Sequence, residues 1–361
     1  MAYKYKQLAS YIENKIISGE IKENTKINSE MDLCKQFDVS RQTVRNAIAS
    51  LVKGGYLYTV QGKGTFVRNK AACINKSYFC GFGTQLFKNY RIFPNIVAGI
   101  NDKIKMEQYK LIIDETKDSI VGERKCLESF LLQNIGGLIM EPCKSALPSP
   151  NLDLYNKFIQ KGIPIIFFNG FRREIDCSYV VVDDEQGGYQ AAKHLLSLGH
   201  KRIYSFFKYD DQQGMNRWKG VMRAFIEANI PFDENSVFWF GSEDYFYLSQ
   251  KSENDRFESA IRNAVEQCTA IIAYNDLIAE KILKVLEQLN LKVPDNISLI
   301  SFDDTDLILD RKITSIEHPS YLMGNKIGES MLRLFKNPNL CIHEVLPCRL
   351  IIRNSVKKIS S

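Results

Sequence analysis

The stretch Lys26-Ile-Asn-Ser-Glu30-Met-Asp-Leu-Cys-Lys-Gln-Phe37-Asp-Val-Ser40-Arg-Gln-Thr-Val-Arg45-Asn-Ala-Ile-Ala-Ser50-Leu-Val-Lys-Gly-Gly55-Tyr-Leu-Tyr-Thr-Val60-Gln-Gly-Lys-Gly-Thr65-Phe-Val67 reads as two short helices, a tight turn between them and a hairpin behind. Ser29 followed three residues later by Asp32 is a capping-box start for a helix that runs to Phe37. Asp38-Val39 makes the turn. The second helix opens at Ser40 and places Val44, Ala47, Ile48, Leu51 and Val52 on one face. Its other face carries Arg41, Gln42, Arg45 and Asn46, crowded toward the N-terminus. Those side chains can enter a major groove and hydrogen-bond base edges or phosphates.

Gly54-Gly55 stops the helical period, and the strands 56–60 and 65–67 bracket Gln61-Gly62-Lys63-Gly64. Two glycines at a hairpin tip let the backbone approach a phosphate or minor groove closely. An ordinary small helical domain with a surface turn would need the apolar face, the polar helix start and the basic hairpin to coincide by accident.

Charge divides the chain the same way. Residues 1–70 hold twelve of the 48 Lys and Arg and six of the 42 Asp and Glu, so the whole net charge of +6 sits there. A neutral large region joined to a basic small one implies a localised nucleic-acid contact more than a membrane-surface contact. A length of 361 residues allows one small reader and one large, itself bilobal, domain. The nine cysteines are odd in number, dispersed and never Cys-x-x-Cys, as expected of reduced, mostly buried thiols. The N-terminus is an amphipathic helix with Leu8, Ile12 and Ile16 on one side, without the apolar core of a secretory signal, and no apolar run is long enough to span a bilayer. A cytoplasmic protein is expected.

The expected domains are a reader at 1–68, a polar linker at 69–77 and a large domain at 78–361. Beyond the linker, apolar runs near 78–82, 110–114, 137–141, 164–168, 202–207, 236–240, 269–274 and 297–302 alternate with helical patterns such as 94–108, 187–198, 215–228 and 276–290. This alternation predicts α/β architecture with parallel sheets covered on both faces, and the strands are too many for one sheet. Two Rossmann-like lobes with a cleft between them are expected.

In open α/β sheets ligands sit beyond the carboxyl ends of the strands. Those positions are polar here: Glu141 with Lys144 nearby, Asn169, the trio Tyr274-Asn275-Asp276, and the pair Asp303-Asp304, with Arg217 near a helix start. Together with Phe93 and Trp218 they suit a polyol, whose hydroxyls donate and accept and whose ring offers an apolar face. Each position alone is more often a helix cap or turn former.

The enzyme reading is weak. Gly81-x-Gly83 lacks the third glycine of a dinucleotide fingerprint, Gly62-Lys63-Gly64-Thr65 lacks the upstream glycine of a Walker loop, and no Gly-x-Ser-x-Gly elbow occurs. His194, His200, His318 and His343 form no ligand-spaced cluster, so no metal and no cofactor are expected. A transport-type sugar receptor would explain a cleft but not the DNA reader.

Ser29-Glu30, Phe37 to Arg45, Gly55-Tyr56-Leu57 and Gln61 to Val67 resemble the winged helix-turn-helix of GntR-family regulators. Val181-x-Asp183-Asp184-x-x-Gly187-Gly188, Leu198-Gly199-His200-Lys-Arg202-Ile203, Arg217-x-x-Gly220, Tyr274-Asn275-Asp276, Val293 to Asp304 and Thr314-Ser315-Ile316-x-His318-Pro319 are similar to the periplasmic-binding-protein-like effector domain of LacI and GalR repressors. A GntR head on such a body resembles the arabinose-utilisation repressors of Gram-positive bacteria. The resemblance implies a homodimeric repressor that binds double-stranded operator DNA and a pentose, L-arabinose first. Another small-molecule effector, or a corepressor response, is the alternative. Carried over residue by residue, Lys4, Tyr5, Glu30, Arg41, Gln42, Thr43, Arg45, Gln61 and Gly62 would face DNA. Glu141, Lys144, Asn169, Arg217, Asn275, Asp276, Asp303 and His318 would face sugar, beside Phe93 and Tyr274. Asn28 and Met31 depart from the proline and arginine usual in GntR heads, so operator preference does not transfer.

Overall fold

The computed structural model describes residues 2–17, 20–22, 24–53, 56–60, 62–67, 79–85, 92–249 and 255–359. Gln61, the glycines at 54 and 55 and the linker 69–77 lie outside them, as does the side chain of Lys4. The chain separates into two compact units, Met1–Ser77 and Tyr78–Ser361.

The first unit is built from α1 (Ala2–Ile17), α2 (Glu30–Phe37), α3 (Arg41–Lys53), β1 (Leu57–Val60) and β2 (Gly64–Val67). The capping box forms as its spacing predicts: Ser29 accepts from Asp32 N, and Asp32 accepts from the Ser29 backbone. Asp38 ends α2 in the left-handed conformation, φ 48°, a region Asp tolerates better than most residues. Ser40 caps α3 by accepting from Thr43 N at 3.2 Å. Leu8, Ile12 and Ile16 of α1 meet Val44, Ala47 and Leu51 of α3 in one buried core, with Ile48 and Val52 at its edge. Gly62 takes φ 77° at the hairpin tip, where an L side chain would be strained.

The second unit holds two six-stranded sheets. The first lobe contains β3 (Phe79–Thr84), β4 (Lys110–Glu115), β5 (Gly137–Met140), β6 (Ile165–Phe168), β7 (Ser178–Val182) and β13 (His343–Leu346), in the order β13-β7-β6-β5-β3-β4. The second contains β8 (Ile203–Lys208), β9 (Val237–Phe240), β10 (Ala270–Ala273), β11 (Ser298–Asp303), β12 (Thr314–Glu317) and β14 (Arg349–Ile351), in the order β14-β12-β11-β10-β8-β9. All pairings are parallel except β12 with β14. Strands β5, β6, β8 and β10 are buried along their whole length, because helices cover both faces, and this is why β5, β6 and β10 read as unbroken apolar runs.

The two lobes share one arrangement of five corresponding parallel strands and differ in the last edge strand, β13 parallel and β14 antiparallel, a likeness the sequence does not display as a repeat. In each, the chain reverses direction across the sheet beside its first strand, β3 or β8, and this switch point opens a crevice at the carboxyl edge. The chain passes between lobes after β7, after β12 and after β13. Helices Asp184–Ser197 and Gln212–Glu227 cross so closely that a Cβ on Gly188 would meet the Arg217 carbonyl oxygen at 1.9 Å, and one on Gly220 the Glu185 carbonyl oxygen at 1.9 Å. That crossing fixes Asp184 beside Arg217. Helix Gln212–Glu227 starts earlier than the expected 215 because Asp211 caps it, accepting from Gly214 N at 2.7 Å.

Candidate functional site

The carboxyl ends of β3, β5 and β6 in one lobe and β8, β10 and β11 in the other converge on a cavity lined by Gln85, Ile92, Phe93, Glu141, Asn169, Lys208, Gln213, Tyr245, Tyr274 and Asp303. Its space free of protein atoms is about 380 Å³, including its mouth. One wall is a hydrogen-bonded chain. Glu141 accepts from Thr84 Oγ1 at 3.0 Å, Gln85 N at 2.9 Å and Asn169 Nδ2 at 2.8 Å. Because the Asn169 amide nitrogen donates to Glu141, its oxygen must accept from His318 Nε2, 3.2 Å away. His318 Nδ1 is then left to accept from Ser320 Oγ at 2.9 Å. Burial, aided by the Arg217 charge, holds His318 neutral with its pKa down at about 3. Burial also pushes Glu141 up to about 7, against its three donors.

The opposite wall is organised by Arg217. Its Nε donates to Asp184 Oδ1 at 2.8 Å and its Nη1 to the Tyr274 carbonyl at 2.5 Å, while Nη2 lies 3.8 Å from Asp303 Oδ1. The guanidinium packs over the rings of Phe302 and Tyr274, 4.3 and 4.9 Å from their centroids. Burial raises the Asp184 carboxyl to about 6 although Arg217 pulls it down. Tyr274 donates its hydroxyl to Asp211 Oδ2 at 2.6 Å, so its ring is fixed at both ends. Asp303 takes φ 91° at the end of β11 and presents its carboxylate to the cavity.

A buried cation completes the floor. Lys208 Nζ donates to Asp118 Oδ2 at 2.8 Å across the lobes and stands 3.3 Å from Asp211 and 3.4 Å from Asp210. Nearby, Gln212 of the second lobe accepts from Phe171 N at 3.0 Å and donates to the Phe171 and Ser145 carbonyls of the first. The lobes are therefore closed on one another.

In the small unit, Arg41, Gln42 and Arg45 project from α3 exposed. Glu30 accepts from Arg41 Nε at 3.2 Å and from Arg45 Nε at 3.1 Å, holding both guanidiniums side by side. Gln42 donates to Asn46 Oδ1 at 3.0 Å. Thr43 is half-buried beside the Ser40 cap, and Tyr5 packs against the core. Gly62 and Lys63 are exposed at the hairpin tip.

Residues 4–67 match the family of bacterial regulatory proteins of the gntR type, and residues 192–356 match a periplasmic binding protein-like domain. The chain is 36% identical over 99% of its length to the arabinose metabolism transcriptional repressor of Geobacillus stearothermophilus, covering 98% of that protein. It is 34% identical over 90% of its length to the protein of the same name from Halalkalibacterium halodurans, covering 87% of it. This chain belongs to the arabinose metabolism repressor family. Among solved structures, the transcription regulator CcpA of Lactococcus lactis superposes with a TM-score of 0.66 at 22% identity, over 77% of this chain and 99% of that one. The CelR–cellobiose complex does so at 0.67 and 20%, over 88% and 91%, and both likenesses bear on the fold alone. These relatives are transcriptional regulators rather than enzymes.

Within this family member the expected sugar-facing residues divide. Phe93, Glu141, Asn169, Tyr274 and Asp303 line the cavity, and His318 and Arg217 stand immediately behind it. Asn275 caps helix Asp276–Gln288, accepting from Ile278 N at 3.2 Å, and its Nδ2 donates to the Tyr245 hydroxyl at 2.7 Å. It holds a wall residue and is not itself in the lining. Asp276 accepts from Ser301 Oγ at 2.6 Å, Thr305 N at 2.7 Å and Thr305 Oγ1 at 2.8 Å, which engages both its oxygens, and it is not in the lining. Lys144 lies outside the lining; it takes a left-handed turn conformation, φ 49°.

Sequence reasoning missed Lys208, Gln85 and Tyr245. Lys208 ends β8 and Gln85 follows β3, so inspection of strand ends reaches both. Tyr245 comes from helix Ser242–Ser249 and has no such signal.

Proposed function

We propose that the protein represses sugar-utilisation genes by holding double-stranded operator DNA with α3 and the β1–β2 wing of a homodimer, and that L-arabinose entering the cleft releases it. The observation that carries this reading is the cavity between two closed lobes, where Glu141, Asn169, Lys208 and Asp303 offer donors and acceptors beside the rings of Phe93 and Tyr274. A polyol needs that mixture. The names of the two full-length relatives support arabinose among sugars. Among the described residues no helix is long and apolar enough to cross a membrane, and a repressor of this kind acts in the cytoplasm.

A sugar that bridges two lobes favours their closed arrangement and biases the equilibrium between arrangements. In a dimer that bias alters how two heads meet two half-sites, where misplacing one forfeits most of the gain of linked binding. By reciprocity operator DNA lowers sugar affinity by the same factor. Titration of a palindromic operator with and without saturating L-arabinose tests this. Weaker DNA binding with sugar is expected. Equal affinities refute the coupling, and tighter binding makes the sugar a corepressor. A panel of sugars tests identity, since ligand at a hundred times its Kd adds roughly 2.7 kcal/mol to the stability of the domain that binds it.

A further inference from the structure

We propose that Asp176, Cys341 and His343 form a binding site for a borderline transition-metal ion, with Zn2+ the ion their donor atoms favour. In sequence Asp176 stands 165 residues from Cys341, beyond the reach of any spacing motif. Parallel pairing of β13 with β7 brings them together, with His343 opposite Tyr179. Cys341 Sγ lies 3.2 Å from Asp176 Oδ1 and 3.0 Å from His343 Nε2. One ligating atom from each residue lies within 4.8 Å of the other two. In a tetrahedral zinc site with Zn–S about 2.3 Å and Zn–N or Zn–O about 2.0–2.2 Å, neighbouring donors are about 3.3–3.6 Å apart. The cluster therefore needs only a small rearrangement of side chains to accept the ion.

The imidazole is oriented in advance. Its ring stacks on Tyr179 at 4.3 Å and 9°, and Tyr179 stacks on Phe171 at 4.3 Å. A thiolate, an imidazole and a carboxylate select zinc and its soft or borderline neighbours over Mg2+ and Ca2+, which require oxygen ligands. All three residues are exposed, so an ion reaches them from solvent and water can take the fourth position. A nucleophilic triad is a poorer reading: the carboxylate approaches the thiol, whereas a triad needs it on the imidazole.

The site would tie together two strands that lead from one lobe into the other. At its far end β7 continues into helix Asp184–Ser197 of the second lobe, and β13 continues into β14. Metal binding is thereby linked to the stability of the effector domain.

The test uses the full-length chain stripped with a chelator and titrated with Co2+, then Zn2+. The expected result is one equivalent of Co2+ with a thiolate-to-cobalt charge-transfer band, displacement of that band by Zn2+, and a rise in unfolding temperature. Cys341→Ser loses the band, and His343→Ala and Asp176→Asn weaken Zn2+ on the order of tenfold or more. These exposed substitutions leave the far-UV circular dichroism unchanged. Absence of the band in the wild-type chain, or a band of full strength in Cys341→Ser, overturns the proposal.

Discussion

Lys208, at the end of β8, is joined to Asp118, in the loop after β4, by a 2.8 Å ion pair that crosses from one lobe to the other with both side chains at most 1% exposed. Asp210 and Asp211 share the same ammonium, so one cation serves three buried carboxylates.

Removing that cation strands the acids. Lys208→Ala is expected to destabilise the effector domain by about 3–5 kcal/mol, the usual cost of leaving buried charge unpaired. Denaturant melts of the full-length protein check this; a wild-type midpoint would show that the acids are compensated by other means.

The DNA-reading surface predicts a different signature. Arg45 is exposed, so Arg45→Ala should weaken specific operator binding by about 1–3 kcal/mol without unfolding the head. Wild-type affinity also falls steeply with salt if phosphates are neutralised. A gel-shift titration that finds no difference between Arg45→Ala and wild type assigns the reading to another element.

Arg217 and Asp303 should separate by stability. Asp303→Asn is expected to cost about 1–3 kcal/mol in L-arabinose affinity while leaving the fold intact. Arg217→Ala should in addition destabilise the domain, because Asp184 and the Tyr274 carbonyl lose their donor. Calorimetry paired with thermal melts distinguishes them, and equal melting temperatures for the two variants would contradict this division.

Glu141 carries a pH dependence whose sign follows from its burial. Its folded pKa is raised from 4.5 to about 7, so the folded state binds more protons than the unfolded chain in that window. Its contribution is fully present below 4.5 and is lost as pH rises toward about 7. Glu141→Gln removes this titration, and the stability difference between variant and wild type should move in the variant's favour across the window. Parallel profiles would show that Glu141 does not titrate there.

The head was legible because its information is local: a capping box, one apolar helix face and a glycine hairpin tip each declare themselves within a few residues. The central strands β5, β6 and β10 were legible because burial on both faces makes them uninterrupted apolar runs. Strands β7, β12, β13 and β14 were not, since they are short or carry polar residues and are specified by their neighbours. The same limit divides the site. Glu141, Asn169 and Asp303 follow from position after a strand. That Asn275 and Asp276 spend their hydrogen bonds on a helix cap and a loop depends on Tyr245, Ser301 and Thr305, which no spacing rule brings to them. Asn28 and Met31, the departures in the head, are both exposed, so the fold accommodates them.

Glu30 engages the Nε groups of both α3 guanidiniums before any nucleic acid arrives. An incoming phosphate or guanine therefore meets two cations already partly neutralised by an internal carboxylate, with both guanidiniums still more than half exposed. In the proposed DNA-bound arrangement that carboxylate lowers the sequence-independent attraction of the head to phosphates. What changes is the reservoir. Under that reading fewer molecules would rest on the bulk of the chromosome, and Glu30→Gln would trade that freedom for general stickiness.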